Sequence, residues 1–263
     1  MTSAPLVGYA APPDGDQIVP RPVLHPVRTP GGAPVTGAEP GDHPWHRGMG
    51  LGLPDVDGTN LWGGPTYVAG RGYDPAATVH GAVHAARGPA APLEQAIEDT
   101  LSWCAASGER LLLEERRVEV ALHADRLVLD WHSVLSADRP VRVGSPASNG
   151  RPGAAYGGFF WRLPPLDPSL VQVRTPDATG EQATNGVRAD WLEIEVADPA
   201  RPWRGRITPL DERTAADPWF VRVEEYVGLG SSLAAERPLV IGPGRPVTIA
   251  LRVELVDLAG ATA

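Results

Sequence analysis

Residues 126–136 read RLVLDWHSVLS, and the alternation in this stretch decides the fold class. Leu127, Leu129, Trp131 and Leu135 occupy one face of the pattern, as expected for a β-strand with one side against a core. The preceding segment, LLLEERRVEVAL (111–122), is separated from it by only three residues, HAD. This arrangement predicts a β-hairpin.

Three further segments alternate in the same way. They are 187–197, with Leu192, Ile194 and Val196 on one face, 219–227, and 247–255 after the turn Gly242-Pro243-Gly244. Long two-faced strands separated by Pro/Gly turns predict an all-β fold, an antiparallel β-sandwich. Residues 92–107 fit both a helix and a strand, and we favour a strand because the neighbouring segments are strands.

The composition fits one globular domain spanning residues 1–263. The chain has 30 Gly and 29 Pro, a content typical of many short strands joined by turns. Its net charge is −9, and it has no basic tract, which argues against a nucleic-acid partner. No apolar run approaches the length of a membrane span, and no signal peptide is recognisable. With a single cysteine, Cys104, we expect a soluble cytoplasmic protein.

The domain divides into three parts by pattern. We expect residues 1–20 to be a loose lead-in or an edge strand and residues 91–258 to supply the main strands. Residues 21–90 are rich in Gly, Pro, His and Trp and show little periodicity. We therefore expect this part to consist of loops that bear the functional site.

The loop Asp42-His43-Pro44-Trp45-His46-Arg47-Gly48 concentrates the residue types that catalysis uses. Imidazoles titrate near neutral pH and can transfer protons, while a guanidinium can hold an oxyanion. The predicted catalytic residues are His43, His46, His80 and Arg47. Indole rings stack on sugars and aromatic ligands, and adjacent polar residues can bind hydroxyls. The predicted substrate-binding residues are His25, Arg28, Trp45, Trp62, Asn149, Tyr156 and Arg162.

Some of these residues have other interpretations. A polar network of His, Arg and Trp can also fasten Gly/Pro-rich backbone to a sheet. Arg162 lies in an apolar run and needs a partner if it is buried, and alternation points either Glu114 or Glu115 inward. A metal site on His43, His46 and His80 is chemically adequate, but no HExxH or CxxC motif supports it, so we predict no cofactor. Nucleotide-binding glycine motifs and a G-x-S-x-G elbow are absent.

The sequence resembles the DUF6807 family, whose members are often labelled PmoA-like. The resemblance rests on RPVLHPVRTPGGAPVT (21–36), DHPWHRGMGLGLPDVDGTNLWGG (42–64), GGFFWRLP (157–164) and RPLVIGPGRPVTIALRVELVD (237–257). Two positions depart from the family pattern: Gly81 follows His80 where a basic residue is frequent, and Asp42 stands where a second histidine is frequent. The resemblance implies a galactose-mutarotase-like supersandwich and an association with sugar-related oxidoreductases.

Together these features predict a carbohydrate-active enzyme that uses histidine acid–base catalysis on a sugar or keto-glycoside, by epimerisation, elimination or hydrolysis. One alternative is a non-catalytic sugar-binding or accessory subunit of an oxidoreductase. Another is a metal-dependent oxygenase or hydrolase. The expected partners are a small sugar or glycoside, an oxidoreductase, and a second copy in a homodimer, with no membrane partner.

Overall fold

The computed structural model describes residues 5–10, 21–38, 40–86, 91–92 and 96–259. In this part of the chain the regular secondary structure is almost entirely β-strand. In chain order the strands are β1 Val7–Ala10, β2 Val23–Val27, β3 Met49–Val56, β4 Thr59–Leu61, β5 Thr66–Val68, β6 Gly72–Asp74, β7 Ala82–Ala85, β8 Ala91–Pro92, β9 Ala96–Cys104, β10 Arg110–Leu122, β11 Arg126–Ser136, β12 Val141–Gly144, β13 Gly158–Arg162, β14 Val171–Arg174, β15 Leu192–Val196, β16 Trp203–Pro209, β17 Trp219–Arg222, β18 Gly228–Ser232, β19 Leu239–Ile241 and β20 Val247–Asp257.

Two large antiparallel sheets form the body of the fold. The eight-stranded sheet has the order β14-β15-β16-β20-β11-β10-β9-β7. The ten-stranded sheet has the order β17-β18-β13-β3-β2-β1-β8, with β12 and β4 also paired to β3 and β19 paired to β12. A separate two-stranded ribbon joins β5 to β6. The helices α1 (Glu181–Thr184) and α2 (Glu212–Ala215) are single turns.

The core lies between the two sheets, which confirms the predicted all-β antiparallel sandwich. The alternating residues of β11 and β20 are buried on one face and partly exposed on the other. Across the interface, the rings of Trp131 and Phe159 meet edge to face with centroids 5.6 Å apart, and Trp161 lies 6.0 Å from Trp203. These aromatic contacts join one sheet to the other.

A buried polar network also connects the sheets. Glu114 and Arg116 are fully buried side chains, and the guanidinium donates to the carboxylate from Nε at 2.6 Å and from Nη2 at 2.9 Å. The Trp103 indole donates to the same carboxylate at 2.9 Å. From the other sheet, the Tyr9 hydroxyl donates to Asp99 at 2.7 Å. Glu114, the inward member of its pair, is therefore an arginine partner in the core.

The ambiguous segment 92–107 contains strand β9, as favoured, although residues 93–95 lie outside the described part.

The expectation of loops throughout 21–90 was wrong, because β2 and β3 are inner strands of the larger sheet. All eight residues of β3 are buried, so both faces are covered and no alternation appears. The lead-in 1–20 contributes β1, which pairs with β2 and β8. The alternation from Trp219 continues as strand only to Arg222.

Among the described residues, neither helix is long or apolar enough to span a bilayer.

Candidate active site

The DHPWHRG loop leads directly into β3, and its path depends on Gly48. This residue has φ +53°, and a Cβ there would lie 2.4 Å from the carbonyl oxygen of Leu24. Only glycine combines this backbone conformation with so close an approach. The Gly48 carbonyl accepts from the Arg162 amide at 2.8 Å, so the loop is fixed to β13.

The loop forms one wall of a cavity of about 250 Å³. The other walls come from the β5–β6 ribbon, the loop before β13, and strand β17 with the segment that follows it. The lining residues are His43, Trp45, His46, Gly63, Pro65, Tyr73, Arg151, Ala154, Tyr156, Phe220, Arg222, Glu225 and Tyr226. A larger groove of about 570 Å³ runs beside β14, but it is lined by no His, Arg or aromatic side chain.

Asp42, His43 and Arg162 form a connected set at the cavity. Nδ1 of His43 lies 2.8 Å from Oδ2 of Asp42. The buried Arg162 side chain donates from Nη2 to both carboxylate oxygens of Asp42, at 2.8 and 3.1 Å. Burial by itself would raise the pKa of Asp42, but the hydrogen bonds from His43 and Arg162 outweigh it and lower the pKa to about 2. Asp42 is therefore ionised at neutral pH and orients the imidazole.

His46 lies behind His43 in an aromatic cluster. The two imidazoles are stacked, with centroids 4.7 Å apart and planes inclined by 6°. Trp62, Phe160 and Tyr226 surround the His46 ring at 5.0 to 5.4 Å. Burial, followed by the nearby His43 and Arg162, places the pKa of His46 well below its ordinary value, so this ring is neutral at physiological pH.

Three phenol groups also line the cavity, those of Tyr73, Tyr156 and Tyr226. The Tyr156 hydroxyl donates to the Tyr73 hydroxyl at 3.0 Å, and Nη1 of Arg151 donates to the same oxygen. The Tyr73 oxygen thus accepts two hydrogen bonds, which leaves its own proton for another acceptor. Burial raises the pKa of Tyr156 and of Tyr226 above their ordinary value, so both phenols stay protonated at neutral pH.

Arg21 fastens the two tryptophans of the site. Its side chain is buried, and Nη1 donates to the carbonyl oxygens of Trp45 at 3.3 Å and Trp62 at 2.9 Å. The guanidinium carbon lies 4.8 Å from the Trp62 ring centroid, a cation–π contact. Burial, reinforced by the nearby Arg116 and Arg47, lowers the pKa of Arg21 to about 9, which leaves it charged at neutral pH.

The structure brings together five of the residues singled out from the sequence. His43, Trp45, His46 and Tyr156 line the cavity, and Arg162 holds Asp42 beside it. The others lie elsewhere. Trp62 and Asn149 line a small adjoining pocket, where the Asn149 amide donates to Asp55 at 2.8 Å.

Four further predicted site residues line neither the cavity nor the adjoining pocket. Nδ1 of His25 lies 2.9 Å from the Thr36 hydroxyl, and Arg28 donates to the Gly32 carbonyl at 3.4 Å. Arg47 lies near enough to His25 to lower the pKa of that imidazole, after the larger effects of burial and of Arg28. His80 pairs through its backbone with Asn60.

His43, His46 and His80 are consequently not gathered into one ligand set. Within the described residues, no group of three or more His, Cys, Asp or Glu side chains is arranged to hold a metal ion. Cys104 is buried, and burial raises the pKa of its thiol.

Sequence reasoning did not select several residues of the cavity. They are Tyr73, Arg151, Phe220, Arg222, Glu225 and Tyr226, with Asp42 as the orienting carboxylate. The aromatic and charged residues at 220–226 follow the alternation of β17, so the pattern attributes them to a strand. Two of these residues are close to ones that the sequence singled out: Asp42 opens the DHPWHRG loop, and Arg151 is two residues from Asn149.

The fold and the cavity together define an antiparallel β-sandwich with an aromatic-walled site that contains an Asp–His pair. The chain belongs to DUF6807, a family of unknown function whose model matches residues 2–261. The search of curated proteins gives no match.

Two solved structures are similar over most of the chain but at low identity. One is a polysaccharide lyase, with 10% identity and a TM-score of 0.37 over 99% of this chain. This chain spans 33% of the length of that lyase. The other is a galactose mutarotase related enzyme from Lactobacillus acidophilus, with 11% identity and a TM-score of 0.30, covering 68% of this chain and 72% of the other.

Proposed function

We propose that this protein is a carbohydrate-active enzyme in which His43 transfers a proton to or from a sugar. The reactions that this chemistry serves are epimerisation, elimination or hydrolysis of a sugar or keto-glycoside. One observation carries the proposal: the imidazole of His43 lines a cavity and is held by Asp42 through its Nδ1 atom.

The Asp42 contact determines which nitrogen of His43 can react. Because Nδ1 is engaged by the carboxylate at 2.8 Å, Nε2 is the atom left for proton exchange with a ligand. The carboxylate stabilises the imidazolium that forms when Nε2 takes a proton. Arg162 in turn holds the carboxylate at 2.8 and 3.1 Å and keeps it ionised.

Another residue of the cavity wall supplies a hydroxyl donor. The Tyr73 oxygen accepts from Tyr156 and Arg151, and its own proton can be donated to a ligand oxygen. A base and a hydroxyl donor in one cavity are what proton abstraction beside a carbonyl requires. In this scheme, His46 is a neutral positioning residue, because its ring is stacked on His43 and is 5% exposed.

The cavity walls favour a sugar as the ligand. Trp45, Phe220 and Tyr226 provide apolar ring faces of the kind that pack on the C–H faces of a pyranose. Arg222 and Glu225 supply charged groups that can hydrogen-bond hydroxyls. At about 250 Å³ the cavity lies at the small end of ligand sites, which suits a single ring better than an extended chain.

The test is incubation of the protein with neutral, acidic and keto sugars in D₂O, followed by proton NMR. Loss of a C–H signal, or formation of an epimer, an unsaturated sugar or a released aglycone, identifies the reaction. His43→Gln should lower the rate of the observed reaction about 100- to 10,000-fold. It should leave the thermal midpoint near that of the wild type, since the ring is partly exposed.

The control is His123→Gln, which alters an exposed histidine in the β10–β11 turn and should keep the wild-type rate. Sugar binding without turnover of any compound would contradict the catalytic proposal and favour a sugar-binding accessory subunit. Loss of folding in His43→Gln would instead support a fastening role for the loop. A stoichiometric metal in protein purified without an affinity tag would favour the metal-dependent alternative.

A further inference from the structure

The cavity lining has more arginines than carboxylates, whereas the chain as a whole is negatively charged. The net charge of the protein is −9, yet two arginines, Arg151 and Arg222, line the cavity with Glu225 as the carboxylate among the lining residues. Near the site, Arg162 is already neutralised by its paired contact with Asp42. The balance at the cavity wall therefore depends on how Arg151 and Arg222 are partnered.

Arg222 is partly compensated by its surroundings. It donates to the carbonyl oxygens of Val221 at 2.8 Å and Gly153 at 3.3 Å. It also lies 3.6 Å from the carboxylate of Glu181, within ion-pair distance. The two carbonyls therefore fix the direction of the Arg222 guanidinium, and Glu181 offsets part of its charge.

Arg151 has no carboxylate partner within 4.0 Å among the described residues. Its guanidinium donates to the Tyr73 hydroxyl and lies over the Tyr73 ring, 4.8 Å from the centroid. Tyr73 is itself held by the hydrogen bond from Tyr156. The tyrosine therefore fixes the direction of the guanidinium but leaves its charge unbalanced, with other N–H donors open to a ligand.

We propose that the sugar bound in this cavity carries a carboxylate, and that Arg151 binds this group. The inference rests on the proposed function, because it assigns the substrate class of the site at which His43 acts. A planar guanidinium matches the two oxygens of a carboxylate, and a charge held in place before binding loses little entropy when the ligand arrives. The substrate class is a uronic or other sugar acid.

The experiment compares D-glucuronate and D-galacturonate with D-glucose, D-galactose and D-glucose 6-phosphate. Binding is measured by titration calorimetry, and turnover is measured by proton NMR in D₂O. We expect the wild type to bind at least one uronate about tenfold or more tightly than its neutral counterpart. Arg151→Gln should weaken uronate binding about 10- to 100-fold and should affect binding of the neutral sugar much less.

Two further variants separate charge from geometry. Arg151→Lys retains the charge but loses the planar fork, so its affinity for the uronate should lie between those of the wild type and Arg151→Gln. Arg110→Gln alters an exposed arginine that pairs with Asp138 outside the cavity, and it should bind as the wild type does.

The outcomes distinguish this inference from the proposed function. If the wild type binds neutral sugars and uronates with equal affinity and Arg151→Gln has no effect, the inference is wrong. Turnover that depends on His43 would still support the proposed function in that case. Tighter binding of the phosphate ester than of either uronate overturns the choice of a carboxylate. A wild type that neither binds nor converts any of the five compounds contradicts both proposals.

Discussion

Arg162→Met tests whether the proposed base depends on an ion pair behind it. Arg162 is 4% exposed and lies on β13. It donates twice to Asp42 and lies 4.5 Å from the Tyr226 ring centroid. Methionine retains most of the aliphatic stem that packs on the phenol ring, but it removes both hydrogen bonds and the charge.

The expected loss of stability is moderate. Removing one partner of a fully buried pair costs about 3–5 kcal/mol, because the other charge is left without compensation. Here the side chain of Asp42 is 39% exposed, so water solvates the carboxylate once Arg162 is gone. We therefore expect a loss of about 1–2 kcal/mol in the free energy of unfolding, between the values for exposed and buried pairs.

The expected loss of activity is larger. At neutral pH Asp42 stays ionised in the variant, but its carboxylate is no longer fixed by two hydrogen bonds. The carboxylate can then leave Nδ1 of His43, and Nε2 loses its position relative to the ligand. A displacement of about 1 Å in a catalytic group costs about 100-fold in rate, which is the fall that we expect.

The assay combines urea unfolding with the NMR rate measurement. The matched control is Arg252→Met, because Arg252 makes an equivalent paired contact with Asp130, at 2.7 and 2.6 Å, on β20 and β11. The control should lose at most about 1 kcal/mol and none of the rate. A wild-type rate in Arg162→Met, or an equal rate loss in Arg252→Met, would refute the positioning role of the pair.

Three other perturbations follow from described contacts. Glu114→Gln should lower the free energy of unfolding by about 3–5 kcal/mol in urea, and adding Arg116→Met should restore much of the loss, because the uncompensated buried charge is then gone. A loss below about 1 kcal/mol in the single variant would contradict the buried pair. Gly64→Ala should destabilise more than Gly70→Ala: both have positive φ, at a cost of about 1 kcal/mol, but only at Gly64 would a Cβ lie 2.4 Å from an indole ring. If both variants lose the same stability in thermal melts and keep their tryptophan fluorescence, the position of the indole does not depend on its contact with Gly64. The pKa of Asp42 is about 2 in the fold against an ordinary 3.8, so its stabilising effect is complete above pH 3.8 and disappears as the pH falls through 2. Since the group is exposed, the effect should stay below about 1 kcal/mol, and Asp42→Asn should match the wild type in urea melts near pH 2 but not at pH 6.

The strands with one covered face were predictable from the sequence, and strand β3, which is covered on both faces, was not. Strands β10, β11 and β20 have 11 to 13 residues and one covered face each, so the period of two is plain in the sequence. Strand β3 is buried along its whole length and contains glycines against which other groups pack. At Gly52, for example, a Cβ would meet the Trp62 ring at 1.9 Å. Glycines occur in β3 because neighbouring groups pack directly against its backbone. A glycine-rich segment of this kind has no alternating pattern, so its sequence resembles that of a loop.

Part of the cavity lining was predictable, namely the part whose residues are close in sequence. The loop at 42–48 concentrates His, Trp and Arg, and His43, Trp45 and His46 do line the cavity. Tyr73 and Tyr226 come from distant segments, and only the fold brings them to the same cavity. Residue type alone does not identify the residues of the cavity. His80 has the same side chain as His43, but it pairs through its backbone with Asn60 and does not line the cavity.

The β5–β6 ribbon has a consequence for how this family can diversify. It pairs with neither large sheet, yet its Tyr73 forms part of the cavity wall and holds Arg151 in place. A hairpin outside the sheets can change in length and sequence without disturbing the strands of the core. Changes in this one hairpin can therefore alter the Tyr73 and Arg151 part of the cavity wall while the sandwich keeps the His43 part.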